Sequence, residues 1–384
     1  MPKQKIEVSV RQAPKKRKKQ SLWKTLETHF LNIPIKFQRL IAIILIVASL
    51  GTAAGGFTLD KLNLIQFSDG KSVGTEPINP EDDAGLVTEE ELASLDYVES
   101  YPGLPNGEIY KDKNVVNILL LGTDERTRYF NDNARSDTMM VVSVNKQANT
   151  IKLVSIERAT GVPILEGQYK GQYDWLTHCF RYGGESLIIK EIQSCFLLDL
   201  QGYIRTNIYS FIKLIDAVGG VDVELSPAEV DYINNWYNYE YARYHVDEMG
   251  IRTKLQWVNV GWNHLMGPTA MLYARCRQID NDFGRMSRQR IVIESAFSQI
   301  KNLSIPELNN LLNTMLPLVQ SNLTKSQMAS LMLEVPSFKN ASFDTMVLPE
   351  KGTYGRMIGM EGRSLFAPDF EKNVADLKEF LYSY

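Results

Sequence analysis

Between Leu40 and Leu59 the chain reads LIAIILIVASLGTAAGGFTL, without a single charged side chain. About 20 such residues, each rising 1.5 Å along a helix, match the ~30 Å hydrocarbon layer of a bilayer. The run therefore predicts one transmembrane helix over residues 40–59, and it separates everything before it from everything after it. Its small-residue half, Ala48 to Gly56, looks like a signal-peptidase site, but a secretory signal carries a far shorter basic region ahead of its apolar one. Here Lys15, Lys16, Arg17, Lys18, Lys19, Lys24, Lys36 and Arg39 precede the run, with only Glu7 and Glu27 as opposing charge. By the positive-inside rule residues 1–39 are cytoplasmic and everything after Asp60 is extracellular. Topology and attraction to anionic membrane lipid account for the basic segment, so no nucleic acid partner is called for.

The net charge of -3 conceals this basic start and an acidic stretch after the apolar run, with Glu81, Asp82, Asp83, Glu89, Glu90 and Glu91. Rich in Pro and Gly and poor in periodic apolar residues, residues 60–113 read as an acidic extracellular linker, with a short helix near Glu89 to Leu95. The folded domain is expected over 114–384. It opens on Val115 to Leu121, a continuous apolar run closed by Gly122, as in a strand covered on both faces. Thr138 to Val144 and Ile151 to Ile156 read as a hairpin around the turn-forming Asn145 to Asn149. Tyr203 to Ile208, Val221 to Leu225 and Thr345 to Leu348 read as further strands. Glu185 to Leu197, and Tyr209 to Val218 before Gly219 and Gly220, read as helices, as do Arg285 to Leu303, Ile305 to Val319 and Lys325 to Leu333. Strands interleaved with helices predict an α/β sandwich around a mixed β-sheet. The 44% hydrophobic content suffices for a sizeable core, and three cysteines, Cys179, Cys195 and Cys276, exclude a disulfide framework while leaving one bridge open.

The densest chemistry lies in YARCRQIDNDFGRMSRQ, Tyr273 to Gln289, which with the next residue sets Arg275, Arg277, Arg285, Arg288 and Arg290 around Asp280 and Asp282. With Asp282 as a helix cap, Arg285 and Gln289 project from one face at i and i+4. On an extended segment Arg275 and Arg277 point the same way. Guanidinium forks match phosphate oxygens bidentately, so converging arginines suit a pyrophosphate; the blander reading is a solvated helix laced with Asp–Arg pairs. A second group, Asp124, Arg126, Arg135 and Asp137, sits at the ends of the first strands, and Arg158 follows the third. Mg2+ takes one or two carboxylates together with waters and phosphate oxygens, so Asp124, Asp137 and Asp282 form a sufficient metal set, open to Mn2+ as well. In the blander reading Asp124 and Asp137 only satisfy turn amides or pair with Arg126 and Arg135. No G-x-S-x-G, H-E-x-x-H, P-loop or paired-cysteine motif occurs, and the four histidines are scattered. Phosphoryl transfer, which needs positioning and charge neutralisation more than a protein nucleophile, fits such residues.

From Val115 to Ser298 the blocks NILLLGTDER, ARSDTMMVVSVN, KLVSIER, FRYGG, IDAVGGVDVEL, LMGPTAMLYARCR and DNDFGRMSRQR follow one another. In this order they resemble the LytR-CpsA-Psr family of cell-wall glycopolymer ligases. The resemblance implies an αβα domain that holds a polyprenyl-pyrophosphate-linked glycan, with its lipid in a hydrophobic groove and Mg2+ and arginines on the pyrophosphate. It further implies transfer of that glycan, teichoic acid-like or capsular, to a peptidoglycan hydroxyl. By motif, Asp124, Asp137 and Asp282 would be metal-side acids, and Arg135, Arg158, Arg275, Arg277, Arg285 and Gln289 the pyrophosphate grip. The family's S-I-P-R-D block is Ser155, Ile156, Glu157, Arg158, Ala159 here, so the acid after the arginine is missing. Gly161 to Phe180 departs too, with Trp175, Thr177, His178 and Phe180 in place of a K-x-N-x-A-Y form. A pyrophosphatase using water as acceptor, and a non-catalytic membrane-bound regulator that binds the lipid carrier, are the alternatives.

Overall fold

The computed structural model describes residues 61–71, 73–74, 87–101, 103–276, 279–301, 303–334 and 341–383. The basic segment, the apolar run at 40–59 and Arg277 lie outside the described residues. Among those described, no helix is long and apolar enough to cross a membrane.

The apolar runs of the sequence build one seven-stranded sheet. Its members are β1 (Gln66–Phe67), β2 (Val115–Thr123), β3 (Ser136–Asn145), β4 (Thr150–Ile156), β7 (Gly202–Asn207), β10 (Gln320–Ser321) and β11 (Ser342–Leu348). The order is β1-β10-β7-β2-β3-β4-β11. β2, β3 and β4 pair antiparallel, while β7 runs parallel to β2 and β11 parallel to β4, so the sheet is mixed as expected. Alternation along β2 gives the two faces different cores. Leu119 and Leu121 join one cluster, Ile118 and Leu120 another.

On the first face lie α2 (Leu176–Phe196) and α10 (Phe370–Tyr382), which bury Ile188, Ile192, Phe370 and Leu377 against the sheet. α2 is broken at Gly183 and Gly184. Gly184 has φ +63°, a conformation that strains any residue with a Cβ, and this is the physical use of the YGG sequence. Over the other face and to its side come α3 (Ile208–Ala217), α4 (Pro227–Asn234), α5 (Trp236–Glu248), α6 (Gly267–Ala274), α7 (Asp282–Lys301), α8 (Ile305–Met315) and α9 (Lys325–Glu334). α3 to α8 share a core with the hairpin of β8 (Val221–Leu225) and β9 (Gly261–Leu265), from which Val223, Leu265 and Val292 are almost fully withdrawn from water. The expected strand at Val221 to Leu225 is therefore present, but in a separate hairpin: its alternating buried and exposed residues suit a one-sided ribbon.

Two further pairs complete the fold: β5 (Gly161–Pro163) with β6 (Tyr173–Trp175), and β12 (Tyr354–Ile358) with β13 (Ser364–Pro368). The described parts of 60–113 do not run free as a spacer would. Leu62 and Ile65 are buried in the second-face cluster, β1 pairs with β10, and Leu92 of α1 (Glu89–Ala93) is buried. Sparse apolar residues sufficed to dock these segments, because each meets an existing apolar surface. All three cysteines are free and buried, so the bridge left open by the sequence is not formed.

Candidate active site

The site forms where β2 and β4 end and β3 begins, beside the start of α7. Asp124 follows β2. Its Oδ1 accepts from the Arg135 backbone N–H at 2.9 Å, and its Oδ2 accepts from the Arg135 guanidinium at 3.2 Å. Burial raises the Asp124 carboxyl above the usual carboxylate range, and the charge of Asp137 adds to that rise, against the pull of Arg135. Asp137 enters β3, and its Oδ1 takes a bond of 2.8 Å from Arg158.

Arg158 is the hub. Fully buried after β4, it forks onto Asp282 at 3.0 and 2.9 Å while reaching Asp137 with its remaining nitrogen. Burial alone would lower its pKa, but Asp282, Asp137 and Glu157 outweigh that and raise it, so the charge is permanent. Against its own burial, Asp282 is held at about 2 by Arg158 and Arg285. Arg285 donates to Asp282 at 2.9 Å and to the Asp137 carbonyl at 3.0 Å. Gln289, one turn on, reaches the Ala274 carbonyl at 3.5 Å.

Asp124, Arg135, Asp137, Arg158, Asp282 and Arg285 are thus brought together, with two refinements. Asp282 is the first residue of α7; its cap is Asn281, whose Oδ1 accepts from the Gly284 N–H at 3.1 Å. Arg275 does not lie on an extended segment but ends α6 in a helical conformation, φ -102° and ψ 0°. Local apolar periodicity in LMGPTAMLYA pulled that residue into the preceding helix. Its side chain lines a cavity of about 220 Å³ shared with Arg126, Tyr241, His245, Met249 and Met271. Burial lowers the Arg275 pKa, and neighbouring Arg126 adds to this. Arg288 and Arg290 point elsewhere: Arg288 pairs with Asp280 at 2.6 Å, and Arg290 lines an open depression behind α7.

Several contributors were not read from the sequence. Glu157 is wholly buried, and its carboxyl is pushed well above the ordinary range by burial and then by Asp282. Its Oε1 accepts from the Ala159 N–H at 3.1 Å. An acid directly before Arg158, where the motif carries proline, was the available signal. Ala159 is buried against Leu365 and Phe366, and its carbonyl accepts from the Phe366 N–H at 3.1 Å, so β13 covers the position of the missing acid. Arg205 is a second omission. Between the rings of Phe130 and Phe180 it bonds Glu125 at 2.5 Å and the Asn131 carbonyl at 2.7 Å. This pins the loop that carries Asp124 and Arg135. No signal local to β7 announces it.

Among the described residues no three His, Cys, Asp or Glu side chains stand together as a ready metal cage. The donor set still fits a hard divalent cation. Two carboxylates, Asp124 and Asp137, each disfavour the other's charge, and a Mg2+ completed by water and phosphate oxygens relieves that repulsion. Asp282 is already engaged by two guanidiniums.

A family model described as LytR_cpsA_psr matches residues 87–379, more than half of the chain. The chain belongs to that family. A polyisoprenyl-teichoic acid–peptidoglycan teichoic acid transferase, TagU, of Bacillus mycoides is 31% identical over 229 residues, which are 59% of this chain and 66% of that protein. The match thus spans just under two thirds of that relative's length. Among solved structures, one described as TagT bound to LIIa-WTA superimposes with a TM-score of 0.53 at 23% identity, over 73% of this chain and 95% of that one. TagV of B. subtilis gives 0.53 at 21%, over 71% and 100%. These two structural likenesses establish the mixed α/β fold of the LytR_cpsA_psr domain.

Proposed function

We propose that this LytR_cpsA_psr protein is a Mg2+-dependent phosphotransferase. It moves a glycopolymer, teichoic acid-like or capsular, from a polyprenyl-pyrophosphate carrier to a peptidoglycan hydroxyl. In this reading the domain faces outward from a single N-terminal membrane anchor. The observation that carries the proposal is the convergence of Arg135, Arg158 and Arg285 on paired carboxylates, beside an apolar cavity into which Arg275 and Arg126 point. The name of the TagU relative supports the class of donor and acceptor.

Arg275 and Arg126 would take the pyrophosphate oxygens, since neither is consumed by a carboxylate as Arg158 and Arg285 are. Ile208, Met249, Met271 and Leu272 supply an apolar wall for the start of the lipid chain. Arg158 and Arg285 fix Asp137 and Asp282, so the positive field at the reacting phosphate is preorganised rather than assembled during reaction. Asp124 and Asp137 would hold the cation, which when bound supplies charge neutralisation at the phosphate. The acceptor hydroxyl oxygen would form a bond to the glycan-side phosphorus as the bridging bond to the lipid phosphate breaks, the lipid monophosphate leaving and the hydroxyl proton passing to it or to water.

The deciding assay offers the purified full chain a labelled lipid-linked polymer and stripped peptidoglycan. Labelled glycan bound to the wall, lost with EDTA and restored by Mg2+ or Mn2+, is the expected result. Soluble label alone would mark a pyrophosphatase. Carrier binding without metal-dependent turnover would mark a regulator, the reading that the covered Ala159 favours.

A further inference from the structure

The grip leaves unused a face rich in exposed aromatic rings. Tyr237, Tyr241 and Tyr244 lie on α5 and Trp236 opens it, while Trp257 comes from the segment that leads into β9 and Trp262 from β9 itself. Trp236, Trp257 and Trp262 are 75%, 69% and 74% exposed. Single apolar residues in water need no explanation, but this many exposed rings on segments bonded to one another mark a contact surface. The face is also preformed. The Tyr239 ring stands 6.4 Å from that of Trp257, Asn234 bonds the Val258 backbone twice, and Asn263 bonds Asn259 twice. Tyr237 and Tyr241, one turn apart, hold their rings parallel to within 16°.

Charge narrows the occupant. Between residues 236 and 262 the acids Glu240, Asp247 and Glu248 are balanced by Arg243, Arg252 and Lys254, and Arg243 is itself paired with Glu240 and Asp247. A phosphate-rich polymer or an anionic bilayer calls for surplus lysine and arginine, which this face lacks. Interleaved with the rings is the amide of exposed Asn259, while those of Asn238 and Asn263 are engaged by backbone groups of Tyr232, Asn259 and Gly261. Flat rings beside an amide, with exposed Glu224 opposite Trp262 and no surplus of positive charge, suit an uncharged polyol whose pyranose faces are apolar and whose edges carry hydroxyl and acetamido groups. Tyr241 also lines the cavity that holds Arg126 and Arg275, so the face reaches the edge of the grip.

We propose that this aromatic face binds the sugar strand of the acceptor, a neutral chain of acetamido sugars, and lays its hydroxyl toward the arginine site. The proposal rests on the transfer reading above, and its test separates the two.

The full chain in detergent micelles is titrated calorimetrically with an N-acetylglucosamine tetrasaccharide and sedimented with stripped peptidoglycan. The variant Trp236→Ala, Trp257→Ala, Trp262→Ala is expected to lose about tenfold in affinity for both. Phenylalanine at the same positions should keep most of it. Undiminished binding by the alanine variant overturns the proposal, as does absence of binding by the unmodified chain. Aromatic-dependent binding to phosphatidylglycerol vesicles, without binding to the saccharide, assigns the face to the membrane instead and also overturns it. Parallel transfer assays decide the other question: strand binding without any transfer sinks the transfer reading and leaves the platform standing.

Discussion

Arg158 and Arg275 are both arginines of the grip, yet their surroundings assign them opposite consequences on removal. Arg158→Ala leaves the buried Asp282 and the half-buried Asp137 without the cation they share, and stripping one partner from a buried ion pair costs about 3–5 kcal/mol. Denaturant unfolding should therefore show a large loss of stability together with loss of transfer. Arg275 is half-buried and makes no side-chain ion pair with any described residue, so Arg275→Ala should change stability by less than about 0.5 kcal/mol. It should nevertheless lower transfer at least roughly tenfold, because a charge-assisted bond to the donor phosphate is worth about 1.5–3 kcal/mol. Equal unfolding midpoints for the two variants would show that the assignment of structural and binding roles is mistaken. Glu157 belongs to the same scale: buried beside Asp282, its carboxyl is pushed upward by burial and by that neighbour's charge.

Among the elements, α2 carries an internal stress that pH reveals. Glu191 is buried in its second half, and burial raises its carboxyl to about 8, against one bond accepted from the Leu165 N–H at 2.8 Å. A carboxyl whose folded pKa is raised favours the folded state most below its unfolded value near 4.5, and that advantage is lost as pH climbs toward 8. Glu191→Gln keeps the acceptor for Leu165 and removes the titration. The variant should match the parent near pH 4 and exceed it by about 4 kcal/mol at pH 8, measured by thermal unfolding across that range. A constant difference at all pH values would place the charge of Glu191 elsewhere. The YGG break in the same helix is the other local device: Gly184, at φ +63°, lets the two halves of α2 take different directions over the sheet.

At the scale of the whole molecule, the proposed orientation is a statement about charge on either side of the apolar run at 40–59. Protease added to intact cells should digest the domain after Asp60 while an N-terminal tag survives, because the proposed orientation keeps the basic segment inside. Survival of the domain and loss of the tag would reverse the topology. The domain also holds itself together without covalent staples, since its cysteines are free, and its stability comes from separate apolar clusters on the two faces of the sheet. The site lies at one end of that sheet, so its geometry depends on several strands ending in register.

Much of this was legible in the chain itself. Val115 to Leu121, the Thr138 to Ile156 hairpin and the order of strands and helices follow from apolar runs and turn residues, signals that act between near neighbours. The same holds for the candidate set Asp124, Arg135, Asp137, Arg158, Asp282 and Arg285, because dense charge at strand ends and at a helix start is visible in sequence. What the tertiary structure alone decided are pairings across long separations. Arg158 meets Asp282 across 124 positions, Arg205 meets Glu125 across 80, and β13 closes over Ala159. A residue's type and spacing determine what it can bond, but which carboxylate a guanidinium finds depends on which strands become neighbours. That outcome is fixed by burial of the whole core, and so no local pattern records it.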